Sequence, residues 1–158
     1  MSFASLSPIR RASYATIGAT LAILILLLVG QQSGLPLIMA PFGASCVLLF
    51  AVPESPLAQP RSLIGGHLIT TAIGLLWFAL WPHLPLMASV AVGLGIGLMV
   101  LSKTLHPPAG ANPLLIFLAA KPLGWSFLFT PVLSGALLLM GVAWLYHRYI
   151  SKKPYPAR

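Results

Sequence analysis

An all-α fold of membrane-crossing helices follows from three features of the sequence. Hydrophobic residues make up 58% of the 158 and charged residues only 6%, where a soluble domain carries about a quarter charged residues. Four long apolar segments, residues 14–30, 62–81, 84–101 and 127–146, each approach the length that crosses a hydrocarbon core about 30 Å thick. Two shorter apolar segments, residues 37–52 and 105–120, are broken near their beginnings by proline and glycine. The expected architecture is a polytopic bundle of four long transmembrane helices plus two short, broken helical segments, in a single transmembrane domain over residues 1–158.

The first segment follows Arg10 and Arg11 and superficially resembles a secretory signal. It is long for a signal core and no A-x-A cleavage site follows, so it is read as the first span. The short segment after it holds the one cysteine, Cys46, which has no internal disulfide partner and reads as a small apolar packing residue. A rigid, proline-rich connection, PESPLAQPR over residues 53–61, leads to the second long segment. The third long segment, the second broken one and the fourth long one follow in the same order as the first three.

That order is matched by local similarity. PFGASCVLLF from Pro41 aligns without gaps with PAGANPLLIF from Pro108, so that Pro, Gly and Ala coincide, Ser45 faces Asn112 and Phe50 faces Phe117. The chain therefore reads as two three-segment halves, about 14–81 and 84–147. If all six segments cross, every Lys and Arg except Lys121 falls on one side. If the short segments instead enter and leave on one side, Arg61, Lys103 and Lys121 all move outside, against the positive-inside rule. Six crossings make the halves an inverted repeat with both termini cytoplasmic.

In that arrangement the two broken segments enter from opposite faces and their beginnings converge near the midplane. A helix start offers unpaired N–H groups and partial positive charge, and the small residues Gly43, Ala44, Gly110 and Ala111 allow close approach of a solute to the backbone. Two registers are open. Pro41 and Pro108 begin the helices, or Cys46 and Pro113 do, which makes Ser45 and Asn112 the N-caps and leaves PFGA and PAGA extended. The second register suits the later copy, because Pro113 within a helix would cost a hydrogen bond. Substrate contacts are accordingly expected from Pro41, Gly43, Ala44, Ser45, Pro107, Pro108, Gly110, Ala111 and Asn112.

Ionisable groups in hydrocarbon are costly and mark cavities, which adds His67 and His106 to the site. His83 and His147 lie at span ends, where interfacial placement accounts for them. Gln59 and Arg61 are expected to line an anion-attracting vestibule, with Glu54 balancing Arg61. Glu54 is the only acid in the chain, and a protein with so few carboxylates leans away from cation pathways toward an anionic or neutral permeant. The basic residues punctuate span ends rather than forming a patch, which excludes a nucleic-acid partner. No metal cluster, cofactor motif or enzyme constellation is present, and a Ser45–His106 pair lacks an orienting acid.

HPPAGAN (residues 106–112), PFGAS (41–45) and SPLAQPR (55–61), with GGH at 65–67, resemble the HPP family of integral membrane proteins over nearly the whole chain. The family is described with about four membrane helices, which the four long segments would supply, and its characterised plastid and cyanobacterial members are nitrite transporters. The resemblance implies small-anion transport with nitrite the leading substrate, and it implies no regulation through the CBS-type domain that some members carry. The expected function is a transporter or channel for a small anion in a bacterial inner membrane. A neutral-solute channel and a non-transporting adaptor or sensor are the alternatives. Because one chain has few helices to enclose a pore, a homo-oligomer, with a dimer favoured, is expected.

Overall fold

The computed structural model describes residues 5–82, 84–119 and 121–157, so His83, expected at an interface, and Arg158, one of the basic residues expected on the cytoplasmic side, lie outside the described residues. Every regular element among the described residues is helical. Helix α1 (Pro8–Ser33) opens with Ser7 Oγ accepting the Arg10 amide and closes at Gly34, whose φ of 70° is left-handed. Helices α2 (Ala40–Ala51), α3 (Pro60–Leu80), α4 (Met87–Leu101), α5 (Asn112–Phe117) and α6 (Ser134–Tyr146) follow.

Among the described residues, three helical stretches are long and apolar enough to cross a membrane: α1, α3 and Leu128–Ser151, which is α6 with its flanking turns. The third expected long span, residues 84–101, is shorter than the sequence pattern implied. Residues 84–87 make a tight turn in which Leu84 accepts the Met87 amide at 2.8 Å. Pro85 suits that turn, and α4 begins only after it, with 15 residues, about 22 Å of helix.

The distribution of polarity is that of a protein solvated by lipid. Leu101, Leu118, Leu86 and Ile9 are largely exposed, whereas Ser45, His67, Thr70, Thr71, His106, Asn112 and His147 are fully buried. Polar side chains withdrawn from hydrocarbon must find partners inside the protein.

The two broken segments do not fold alike. In the first copy α2 runs continuously from Ala40, with Pro41 in its first turn, where the missing N–H has no partner to lose. In the second copy Pro113 stands where the first has Cys46. Its ring excludes a continuous α-helix from Pro108, so a 3-10 turn, Pro107–Ala111, precedes α5, which starts with Pro113 in its first turn. The first copy thus takes the earlier register and the second the later one, and PAGA is a 3-10 turn rather than the expected extended stretch.

Helix α3 is central, packed against α4, α5, the 3-10 turn and α6, while α1 packs against α2 and α6, and α2 touches the 3-10 turn. Its buried stripe is made of Ser62, Leu63, Gly66, His67, Thr70, Thr71, Gly74 and Leu75, mostly small or polar. Small residues let backbones approach closely where lipid offers no hydrophobic drive. A Cβ on Gly66 would lie 2.8 Å from His106 Cβ and 3.0 Å from the Thr104 carbonyl, and one on Gly74 3.0 Å from Pro113 Cα. These two glycines seat the second broken segment on α3.

Candidate functional site

Seating residues 104–113 against α3 brings His106 to His67, with ring centroids 5.1 Å apart. Between them lies Ser45 of α2. Its Oγ is 3.0 Å from His67 Nε2 and 2.8 Å from His106 Nε2. One hydroxyl therefore joins the first broken segment, the central helix and the second broken segment.

Each imidazole is held at its other nitrogen. His106 Nδ1 lies 2.7 Å from the Leu57 carbonyl, which only accepts, so Nδ1 carries the proton and Nε2 accepts from Ser45. Having donated its single proton, the Ser45 hydroxyl accepts from His67 Nε2–H. His67 Nδ1 then accepts from Asn112 Nδ2 at 3.0 Å. The orientation of that amide is set by its contacts with the His67 carbonyl at 3.2 Å, Thr70 Oγ1 at 3.2 Å and Thr71 Oγ1 at 2.9 Å. Asn112 Oδ1 is buried with no partner.

Of the residues expected at the site, Ser45, His67, His106 and Asn112 come together, all fully buried. The capping roles offered for Ser45 and Asn112 do not materialise. Ser45 lies inside α2, where Oγ also sits 3.2 Å from the Pro41 carbonyl, and the Asn112 side chain turns to α3 rather than to its own helix start. Pro41, Ala44, Pro107, Pro108 and Ala111 line the outer side of the same junction, a groove of about 810 Å³ with Val47 and Leu115 among its walls. Gly43 and Gly110 border open space.

The expected vestibule is not formed as drawn. Gln59 Nε2 donates to the Pro53 and Ser55 carbonyls, and its Oε1 accepts the Ala157 amide. Gln59 thus ties its own loop to the C-terminal tail. Arg61 does not pair with Glu54; its Nη2 donates to the Ser102 carbonyl at 2.7 Å, a carbonyl just past α4 where a cation is favoured. His147, expected at an interface, is fully buried, with Nε2 2.8 Å from the Leu49 carbonyl and Nδ1 2.8 Å from Ser151 Oγ.

Thr70, Thr71 and the Leu57 carbonyl were missed by sequence reasoning. The threonines follow His67 at three and four positions, on the same helix face, and that spacing was the available signal. Nothing in the sequence announces the Leu57 carbonyl. The tail was missed as well: Tyr155 is buried, its hydroxyl donates to the Ala58 carbonyl at 2.9 Å, and burial pushes its ionisation upward. Tyr155 and Ala157 thereby brace the loop that presents Leu57 to His106.

At this junction His106 and Asn112 belong to the HPPAGAN motif, Ser45 to its weaker copy around Pro41 and His67 to the GGH of α3, and the chain matches the HPP transmembrane region family over residues 4–156. The chain belongs to the HPP transmembrane family. Among curated proteins it is 36% identical over 144 residues to a transmembrane protein of Dictyostelium discoideum, an alignment covering 85% of this chain and 50% of the relative. A second Dictyostelium discoideum transmembrane protein is 33% identical over 125 residues, covering 75% of this chain and 40% of the relative. This HPP chain thus spans about half the length, or less, of these curated relatives. No solved structure matches it.

Proposed function

We propose that this HPP protein moves a small monovalent anion, nitrite foremost, across a bacterial inner membrane. The observation that carries the reading is the Ser45 hydroxyl shared by His67 and His106. Buried polar groups at the meeting of two broken helical segments are what a solute pathway through lipid requires. None of the partners of this cluster is a carboxylate, which favours an anion over a cation. The resemblance of its motifs to those of nitrite-transporting family members supplies the leading substrate.

A repeat of two halves is supported by the helix pairings, and the distribution of Lys and Arg supports its inverted sense. Exchanging the halves maps the pair α1 and α2 onto α4 and α5, α1 and α6 onto α4 and α3, and α2 and α6 onto α5 and α3, and all six pairs pack together. Both termini are then cytoplasmic. The groove between the broken segments is open on one side, and a homodimer meeting across it supplies the missing wall.

The test is flux from purified protein in proteoliposomes. Saturable nitrite entry, with nitrate, formate and chloride as competitors, is the expected result; its absence removes the transport reading in favour of an adaptor. A neutral solute is the second reading, favoured by Asn112 Oδ1, a buried acceptor left without a donor. Nitrite-independent flux of a small neutral solute would establish it.

A further inference from the structure

We infer that Ser45, His67 and His106 form a proton relay, so that the anion crosses together with a proton. This deepens the transport reading above and rests on it. Carboxylates usually carry protons through membranes, and Glu54 is the one acid in the chain. Two imidazoles bridged by a hydroxyl do the same work without one.

The sense of every hydrogen bond in the chain is set by its ends. The Leu57 carbonyl requires a proton on His106 Nδ1, and the Asn112 amide requires a lone pair on His67 Nδ1. Between them Ser45 has one proton to give and gives it to His106 Nε2, while it receives that of His67 Nε2. The Pro41 carbonyl, at 3.2 Å from Oγ, is the alternative acceptor that interrupts the chain when the hydroxyl rotates.

A transfer step balances without any oxidant or reductant. The protonated form of the permeant, a weak acid, donates its proton to His67 Nδ1 as the Asn112 amide swings off that lone pair. An N–H bond forms at Nδ1 while the one at Nε2 breaks, its proton joins Ser45 Oγ, and the proton of Ser45 passes to His106 Nε2. His106 releases its Nδ1 proton to water that takes the place of the Leu57 carbonyl. One proton has entered and one has left, and both imidazoles end neutral in the opposite tautomer, which ring and hydroxyl reorientation resets. The titratable groups on the surrounding segments include Cys46 on α2, Glu54 in the loop after it, Arg61 at the start of α3, Lys103 after α4, Tyr146 and His147 at the end of α6 and Tyr155 in the tail. None of these is a hydrogen-bonding partner of either imidazole.

The test is simultaneous measurement of nitrite entry and luminal pH in proteoliposomes, corrected for protein-free vesicles. The lumen is expected to acidify by one proton per nitrite in the wild type. His106→Gln retains an amide that donates to Leu57 and a carbonyl that accepts from Ser45 but cannot pass a proton, so its proton-to-nitrite ratio is expected to fall severalfold. Ser45→Ala is expected to lower the ratio likewise, and Ser45→Thr, which keeps the hydroxyl, to restore it. Nitrite entry without acidification, or an unchanged ratio in His106→Gln, overturns the relay and leaves anion transport standing. No nitrite entry at all overturns the transport reading, and the relay with it.

Discussion

Ser45 Oγ stands 2.8 Å from His106 Nε2 although the two residues are 61 positions apart, and the same oxygen is 3.0 Å from His67 Nε2. Ser45→Ala leaves a buried donor on His67 and a buried acceptor on His106 without partners. Each orphaned group costs about 1–3 kcal/mol. A lowered thermal midpoint in detergent, recovered by Ser45→Thr, is the expected outcome; a midpoint equal to that of wild type would mean that the hydroxyl does not hold the segments together.

The two site histidines are expected in opposite neutral tautomers. His106 carries its proton on Nδ1, facing the Leu57 carbonyl, and His67 carries its own on Nε2, facing Ser45. Nitrogen-15 chemical shifts of labelled histidine in reconstituted protein distinguish protonated from bare ring nitrogens. Identical tautomers for the two residues would contradict the hydrogen-bond order described above.

Gly66 and Gly93 make a matched pair of substitutions. Gly66→Ala drives a methyl group into the space of His106 Cβ and the Thr104 carbonyl, and overpacking of this kind costs about 1–3 kcal/mol. Nitrite uptake is expected to fall with it, since the second broken segment must shift. Gly93, on α4, has nothing within 4 Å of an added Cβ, so Gly93→Ala is expected to preserve uptake and to gain a few tenths of a kcal/mol, up to about 1, from helix propensity. Comparing uptake and thermal midpoints of the two variants checks both halves of the expectation.

Tyr155 links the tail to the loop that supports His106. Burial raises its ionisation above the ordinary phenol range, so the unfolded chain loses this proton first as pH rises. Its contribution to stability is full below about pH 10 and declines as pH climbs from there toward the folded value. Tyr155→Phe is expected to remove this alkaline slope and to cost about 1 kcal/mol at neutral pH through the lost bond to Ala58. Unfolding curves measured from neutral to strongly alkaline pH provide the comparison.

Much of the fold was legible because lipid imposes a simple rule: apolar length reads directly as helix. Residues 14–30 and 62–81 both correspond to long helices, and 127–146 lies within Leu128–Ser151 but for its first residue. The shortening of α4 was not legible, because hydropathy continues through Pro85 while the backbone turns there. At the site, His67, His106, Ser45 and Asn112 were each identifiable as polar groups in apolar surroundings. Their roles were not. Capping is a local relationship that can be read from spacing, and it was the natural reading for Ser45 and Asn112; their actual partners lie on other helices.

The sequence by itself determined that the chain lives in a membrane, which segments are helical, and that its interior contains polar groups without acids. Those properties depend on local composition and on the cost of exposing backbone to hydrocarbon. Only the tertiary structure decided that one serine hydroxyl joins both histidines, that Asn112 orients His67, and that the loop carbonyl of Leu57, braced by Tyr155, orients His106. Hydrogen bonds act over about 3 Å, and which distant residues come within that reach is decided by how the helices pack. Here the close seat that Gly66 and Gly74 provide on α3 settles it.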